Sequence, residues 1–116
     1  MSATELLRHA QRIVKQSRAD GLSSRMAAFL ARQALEEIIE LRCAGVGAPA
    51  PWANTRSQLV VLRSLDTEEA ADGAAIAWNR LSAACHVHAF ELQPSAAEIE
   101  YLCGVVESLL PDSVPP

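Results

Sequence analysis

The sequence predicts an all-α fold, an antiparallel bundle of four main helices with one additional short helix. Only 4% of the 116 residues are aromatic although 50% are hydrophobic, and alanine is abundant, so residues that favour strands are scarce. Apolar residues recur at three- and four-residue steps, which is the spacing of amphipathic helices. Glycine and proline fall between these segments, where they end helices. Short connections of this kind join antiparallel neighbours in a bundle.

The first two predicted helices lie before Gly45. An apolar stripe predicts the first helix over roughly residues 3–19. Ser23 and Ser24 are good N-caps, so we expect the second and longest helix to run from Arg25 to Ala44. The glycine that follows ends it.

A connection and a short third helix come next. Residues 45–52 contain two glycines and two prolines and cannot continue a helix. The apolar spacing that follows predicts a helix from Asn54 or Thr55 to Ser64.

The fourth predicted helix runs from about Thr67 to Val87. Asp66 and Glu69 have the spacing of a capping box, which opens it. Its many alanines allow a neighbouring backbone to approach closely on more than one side, so they leave room for a second protomer.

The last predicted helix starts at a second capping box, formed by Ser95 and Glu98, and carries apolar residues through Leu109. A chain of this length forms one domain with one core, which we place at residues 1–110. Residues 111–116 are expected to be a disordered tail.

The charge is unevenly distributed along the chain. Residues 1–32 carry six basic and two acidic groups, a balance of +4, whereas residues 33–116 carry four basic and twelve acidic groups, a balance of −8. Solvated helix faces explain such an asymmetry more simply than a phosphate-binding surface does. Contact with nucleic acid is compatible with it.

The cysteines and the N-terminus indicate a cytoplasmic protein without a membrane span. Cys43, Cys85 and Cys103 are an odd number without C-x-x-C spacing, so we expect reduced thiols. The first residues lack the apolar core of a signal peptide, and no apolar run approaches the roughly 18 residues of a span.

Reactive side chains concentrate in residues 78–92, where the fourth helix ends. Three interpretations are open: an acid–base site of Arg80 and His86, a helix end capped by imidazoles, and a metal site. The metal site would use Cys85, His86, His88 and Glu91.

The spacing weighs against the metal site. Cys85 and His88 are three residues apart on a helix and could bind the same metal ion. His86, however, is rotated about 100° from Cys85 on a helix. No second ligand pair is visible elsewhere. Histidine near a helix C-terminus also interacts favourably with the helix dipole, so spacing alone favours a structural role. We expect neither a metal nor a cofactor.

A helical bundle of this length, with R-x5-H in a late helix and then a short turn and a proline-led last helix, resembles the HEPN superfamily. The resemblance covers residues 3–110 in architecture, but its diagnostic part is Arg80 to His86 with the neighbouring Leu81-Ser82 and residues 90–94. HEPN members with the intact motif are typically metal-independent ribonucleases, often toxins, and they dimerise so that the arginine and histidine of two protomers line one cleft. Other members are non-catalytic partners, for example of small nucleotidyltransferases.

The motif differs from that of active members at one position. They usually place a polar residue directly after the arginine, where this chain has Leu81, while the polar Asn79 precedes it. On one straight helix Arg80 and His86 are about 120° apart, whereas Asn79 and His86 share a stripe. Arg80 and His86 therefore share a site only if the helix distorts after Ala84 or a second subunit contributes.

The resemblance implies two alternative functions. In a toxin-type endoribonuclease, His86 would deprotonate a ribose 2′-hydroxyl and Arg80 would hold the phosphate, supported by Asn79, His88 and Glu91. Its partners would be RNA, a second copy of the chain and an antitoxin. In a non-catalytic interaction module, the same residues would order the turn at the helix end, and the partner would be a nucleotidyltransferase or another protein.

Overall fold

The computed structural model describes residues 1–16, 21–86 and 95–111. In these ranges all regular secondary structure is α-helical, which confirms the predicted fold class. The five helices are α1 (Ala3–Gln16), α2 (Gly21–Gly45), α3 (Thr55–Leu65), α4 (Glu68–Cys85) and α5 (Ala96–Ser108).

Helix α2 is the central element. It contacts each of the other four helices, α5 also packs on α1 and α4, and α3 packs on α4. Two contacts set the direction of α3 against α4: Arg56 lies over the Trp78 ring, and Arg63 pairs with Asp72 at 3.3 Å. Because the earlier residue of α3 meets the later residue of α4, these two helices are antiparallel.

The core is built from large aliphatic residues of several helices and from alanines of α2 and α4. The fully buried aliphatic residues include Leu7, Leu35, Ile38, Ile39, Leu62, Leu81, Ile99, Leu102 and Val106. The buried alanines are Ala27, Ala28, Ala31 and Ala34 of α2 and Ala70, Ala71, Ala74 and Ala77 of α4. Most α4 alanines therefore serve the chain's own core, and among the α4 alanines that the structure describes only Ala83 is exposed.

One predicted helix start and one predicted cap are wrong. Helix α2 begins at Gly21, four residues before Arg25, so Ser23 and Ser24 lie inside the helix and not at its start. Helix α4 is capped by Thr67, whose Oγ1 accepts from the backbone N–H of Ala70 at 3.1 Å. Asp66 was predicted to cap this helix, but Arg42 engages its carboxylate.

That predicted cap, Asp66, has a different role. It ends α3, and its carboxylate accepts from the N–H of Thr67 at 2.7 Å and from Arg42 at 2.8 and 3.0 Å. The Arg42 guanidinium also donates to the carbonyl of Leu109 at 2.9 Å. Arg42 thus ties α2 to the α3–α4 junction and to the end of α5.

The other predicted starts agree with the structure. Asn54 Oδ1 accepts from the Ser57 N–H at 2.9 Å and caps α3. Ser95 Oγ accepts from the Glu98 N–H at 3.0 Å and caps α5. In the α2–α3 connection, Gly47 has a φ of +83°, a left-handed conformation that other residues rarely adopt.

Helix α4 ends two residues before the predicted Val87. The residues predicted to end the first helix, 17–19, lie outside the described ranges, as do residues 112–116 of the predicted tail. Among the described residues, no helix combines the length and the apolar composition needed to cross a bilayer.

Candidate active site at the end of α4

The end of α4 departs from helical geometry at His86. Cys85 is the last helical residue, and His86 has φ −77° and ψ 136°, an extended conformation. Its backbone N–H still donates to the carbonyl of Ala83 at 3.2 Å. The helix thus ends just after Ala84, where a distortion is one of the two conditions under which Arg80 and His86 can share a site.

Arg80 and Asn79 lie on the exposed side of α4. Trp78 and Leu81, which are three residues apart and so share one face of the helix, form the buried side, with Trp78 8% exposed and Leu81 fully buried. Arg80 makes no ion pair or hydrogen bond with any residue in the part of the chain that the structure describes. Its guanidinium is available to a ligand.

Leu81 is a core residue. A polar side chain at this position, directly after Arg80, would be buried among apolar residues without a partner, at a cost in stability. The difference from the motif of active HEPN members therefore has a packing reason.

His86 is exposed at the end of α4, whereas His88 and Glu91 lie outside the described residues. No three His, Cys, Asp or Glu side chains come together within the described ranges as a metal site would need.

A polar cluster around Trp78 was not predicted from the sequence. The indole Nε1–H donates to the Glu36 carboxylate at 3.1 Å, and the guanidinium groups of Arg32 and Arg56 lie 5.5 and 5.3 Å from the ring centroid. Arg32 also pairs with Glu36 at 3.3 Å. Only the i, i+4 spacing of Arg32 and Glu36 was visible in the sequence, and it does not indicate that Trp78 lies between α2 and α3.

Cys85 is half-buried beside this cluster. Burial raises the pKa of its thiol, and the nearby Arg32 guanidinium opposes that rise. One turn earlier, the buried Ser82 hydroxyl has no hydrogen-bond partner among the described residues. The last two turns of α4 therefore present polar groups to α2 as well as to solvent.

An open groove of about 480 Å³ adjoins the end of α4. Its walls come from α1, the first half of α2 and Cys85. The lining residues are Met1, His9, Arg25, Met26, Phe29, Leu30 and Cys85.

Comparison with known proteins gives no significant match: no family model, no curated protein and no solved structure is similar to this chain. The residues of α4 and the surfaces around its end are therefore the features from which a function can be inferred.

Proposed function

We propose that this chain is a HEPN-like domain that acts on RNA, a toxin-type, metal-independent endoribonuclease that uses Arg80 and His86 in the cytoplasm. In this proposal α1, α2, α4 and α5 are the antiparallel bundle and α3 is the additional short helix. One observation carries it. Arg80 is exposed without a partner among the described residues, and six residues later the helix gives way to extended backbone at the exposed His86.

The side chains supply the chemistry of RNA transesterification. The His86 imidazole accepts the proton of a ribose 2′-hydroxyl, and the 2′-oxygen attacks the adjacent phosphorus. The bond from phosphorus to the 5′-oxygen breaks, and that oxygen takes a proton from an imidazolium or from water. Arg80 binds the phosphate oxygens and stabilises their developing charge. The products are a 2′,3′-cyclic phosphate and a 5′-hydroxyl.

Asn79 is the supporting residue that the described structure supplies. It is exposed next to Arg80 on α4 and offers an amide to the same phosphate or to a base. It takes the place of the polar neighbour that the buried Leu81 cannot provide. His88 and Glu91 follow His86 closely in the chain, and the proposal assigns them supporting roles on that ground.

A homodimer completes the proposed site, because the resemblance implies a cleft lined by the arginine and histidine of two protomers. Sedimentation equilibrium at micromolar concentration should give twice the 12.5 kDa of the chain. A monomer at all accessible concentrations would remove the shared cleft.

The proposal is tested with purified protein and single-stranded RNA in the presence of chelator. Wild type should cleave the RNA and leave cyclic phosphate ends. His86→Ala and Arg80→Ala should each abolish cleavage while the circular dichroism spectrum stays helical. Arg63→Ala is the matched control, since Arg63 is also an exposed arginine, and it should cleave normally. His88→Ala should matter less, because it lies outside the R-x5-H spacing.

The second candidate function is a non-catalytic interaction module, for example a partner of a small nucleotidyltransferase or of another protein. The buried Leu81 favours it, since active members have a polar residue at that position. Absence of cleavage of any RNA and absence of toxicity on expression would support this function. A gene for such a partner next to the gene for this chain would then identify the complex to isolate.

A further inference from the structure

The groove beside α4 combines exposed apolar side chains with an arginine that has no ion-pair partner among the described residues. Met26 and Phe29 are 53% and 52% exposed, so the groove presents two large apolar side chains to solvent. The Nε of Arg25 is buried and has no hydrogen-bond partner among the described residues, and the described residues that line the groove include no carboxylate. An anionic ligand with flat apolar parts would complement both features.

The adjacent helix α1 carries a cationic face, which we define as Arg8, Arg12 and Lys15. The three side chains are exposed and make no ion pair with any described residue. Along the helix axis they are spaced by about 6 and 4.5 Å. By contrast, Arg32, Arg42 and Arg63 all have carboxylate partners. The unpaired positive charge of α1 is therefore concentrated on one face.

The groove and the cationic face are linked to the end of α4. His9, on the same helix as the cationic face, lines the groove, and so does Cys85, the residue directly before His86. A polymer that follows the groove would thus reach the proposed active site.

We propose that the groove and the cationic face together bind a segment of single-stranded RNA and lead it to His86. A base stacks on the exposed ring of Phe29, Arg25 pairs with a phosphate, and the cationic face holds further phosphates. This inference rests on the proposed function and names the surface through which the substrate is held.

RNA fits this surface better than a second copy of the chain. A protein contact would bury the Arg25 guanidinium and require a carboxylate placed against it, whereas a nucleic acid strand supplies a phosphate at every nucleotide. Stacking on an aromatic ring also tolerates any base. This suits a surface whose contacts are the Phe29 ring and basic side chains rather than groups that hydrogen-bond to base edges.

The test is RNA binding in the His86→Ala background, where the proposed cleavage cannot occur. Fluorescence anisotropy follows a labelled single strand of about ten nucleotides over a series of salt concentrations. Phe29→Leu keeps an apolar side chain but removes the ring, and it should weaken binding about tenfold. Tyr101→Leu is the matched control, since Tyr101 is an aromatic residue of α5 that is 65% exposed and lies away from the groove. It should leave binding unchanged.

The cationic face is tested by changing Arg8, Arg12 and Lys15 together to glutamine. The slope of log binding constant against log salt should become shallower by about 2, as expected for three lost phosphate contacts on a single strand. All of these positions are exposed, so the variants should fold, and a melting curve of each variant checks this.

The outcomes separate this inference from the nuclease proposal. Groove-dependent binding without cleavage by wild type would support the RNA surface and refute the nuclease. Cleavage by wild type with binding unaffected by Phe29→Leu and by the triple variant would refute the surface and leave the nuclease intact. If Phe29→Leu shifts the sedimentation mass instead of RNA affinity, a second copy occupies the groove and the inference is overturned.

Discussion

Trp78 and Glu36 are 42 residues apart in the chain, and a 3.1 Å hydrogen bond joins the indole Nε1 to the carboxylate Oε2. The indole N–H is thereby satisfied although the side chain is only 8% exposed. The Arg32 guanidinium, over the ring, also pairs with Glu36. Trp78 is therefore both a core residue of α4 and its polar connection to α2.

We expect Trp78→Ala to lower the free energy of unfolding by about 3–5 kcal/mol, because it removes a buried ring and leaves a cavity. Arg80→Ala should lower it by less than about 0.5 kcal/mol, since Arg80 is exposed and has no partner among the described residues. Urea denaturation of both variants measures the difference. Equal losses would show that Arg80 is a structural residue and would remove it from the proposed catalytic pair.

The Asp66 carboxylate predicts an acid-dependent contribution to stability. Hydrogen bonds from Arg42 hold the pKa of this carboxyl below its usual range, in a side chain that is 7% exposed. A lowered folded-state pKa stabilises the fold above the unfolded pKa of about 3.9, and this stabilisation is lost as pH falls through the folded value. At neutral pH, Asp66→Asn should cost about 3 kcal/mol.

Denaturation curves between neutral pH and pH 3 provide the check. The difference between wild type and Asp66→Asn should shrink as pH falls below about 4. Asp72→Asn is the matched control, because Asp72 belongs to an exposed pair with Arg63, and its effect should stay below about 1 kcal/mol at every pH. A constant difference for Asp66 would contradict the proposed effect of Arg42.

The observed cap of α4 gives a third prediction. Thr67→Ala should destabilise the protein by about 1 kcal/mol, because the N–H of Ala70 loses its acceptor. Glu69→Ala should change stability less, because Thr67 and not a capping box of Asp66 and Glu69 starts the helix. Thermal melts of the two variants decide between the two caps.

The fourth prediction is that removal of metal leaves the fold unchanged. Dialysis against a chelator should not alter the thermal melting curve, because we expect no structural metal. A fall in melting temperature that zinc reverses would instead support Cys85, His86, His88 and Glu91 as ligands.

Local sequence patterns predicted where the helices lie better than they predicted which side chains meet between helices. The apolar spacing located all five helices, and the Ser95 cap was found because a cap bonds to an amide three residues away. Asp66 also has the composition of a cap, but Arg42, 24 residues away, engages its carboxylate. No local pattern reports such a contact.

At the candidate site, too, local structure was predictable from the sequence and contacts between helices were not. The buried positions of Trp78 and Leu81 and the exposure of Arg80 followed from helical spacing. The cluster of Arg32, Arg56 and Glu36 around Trp78 did not, because three helices must pack before these side chains meet. The end of α4 at Cys85 was also missed, since its apolar spacing continues past the last helical residue.

The hydrogen bond from Arg42 to the Leu109 carbonyl changes how the last turn of α5 behaves. A terminal helical turn ordinarily frays, and its amide protons exchange with solvent without any wider opening. Here the last turn of α5 accepts from a guanidinium that also holds the α3–α4 junction, so opening this turn breaks a bond to Arg42 of the central helix. We therefore expect the C-terminal turn of α5 to open less readily than a free helix end, and its amides to exchange more slowly in wild type than in an Arg42→Ala variant.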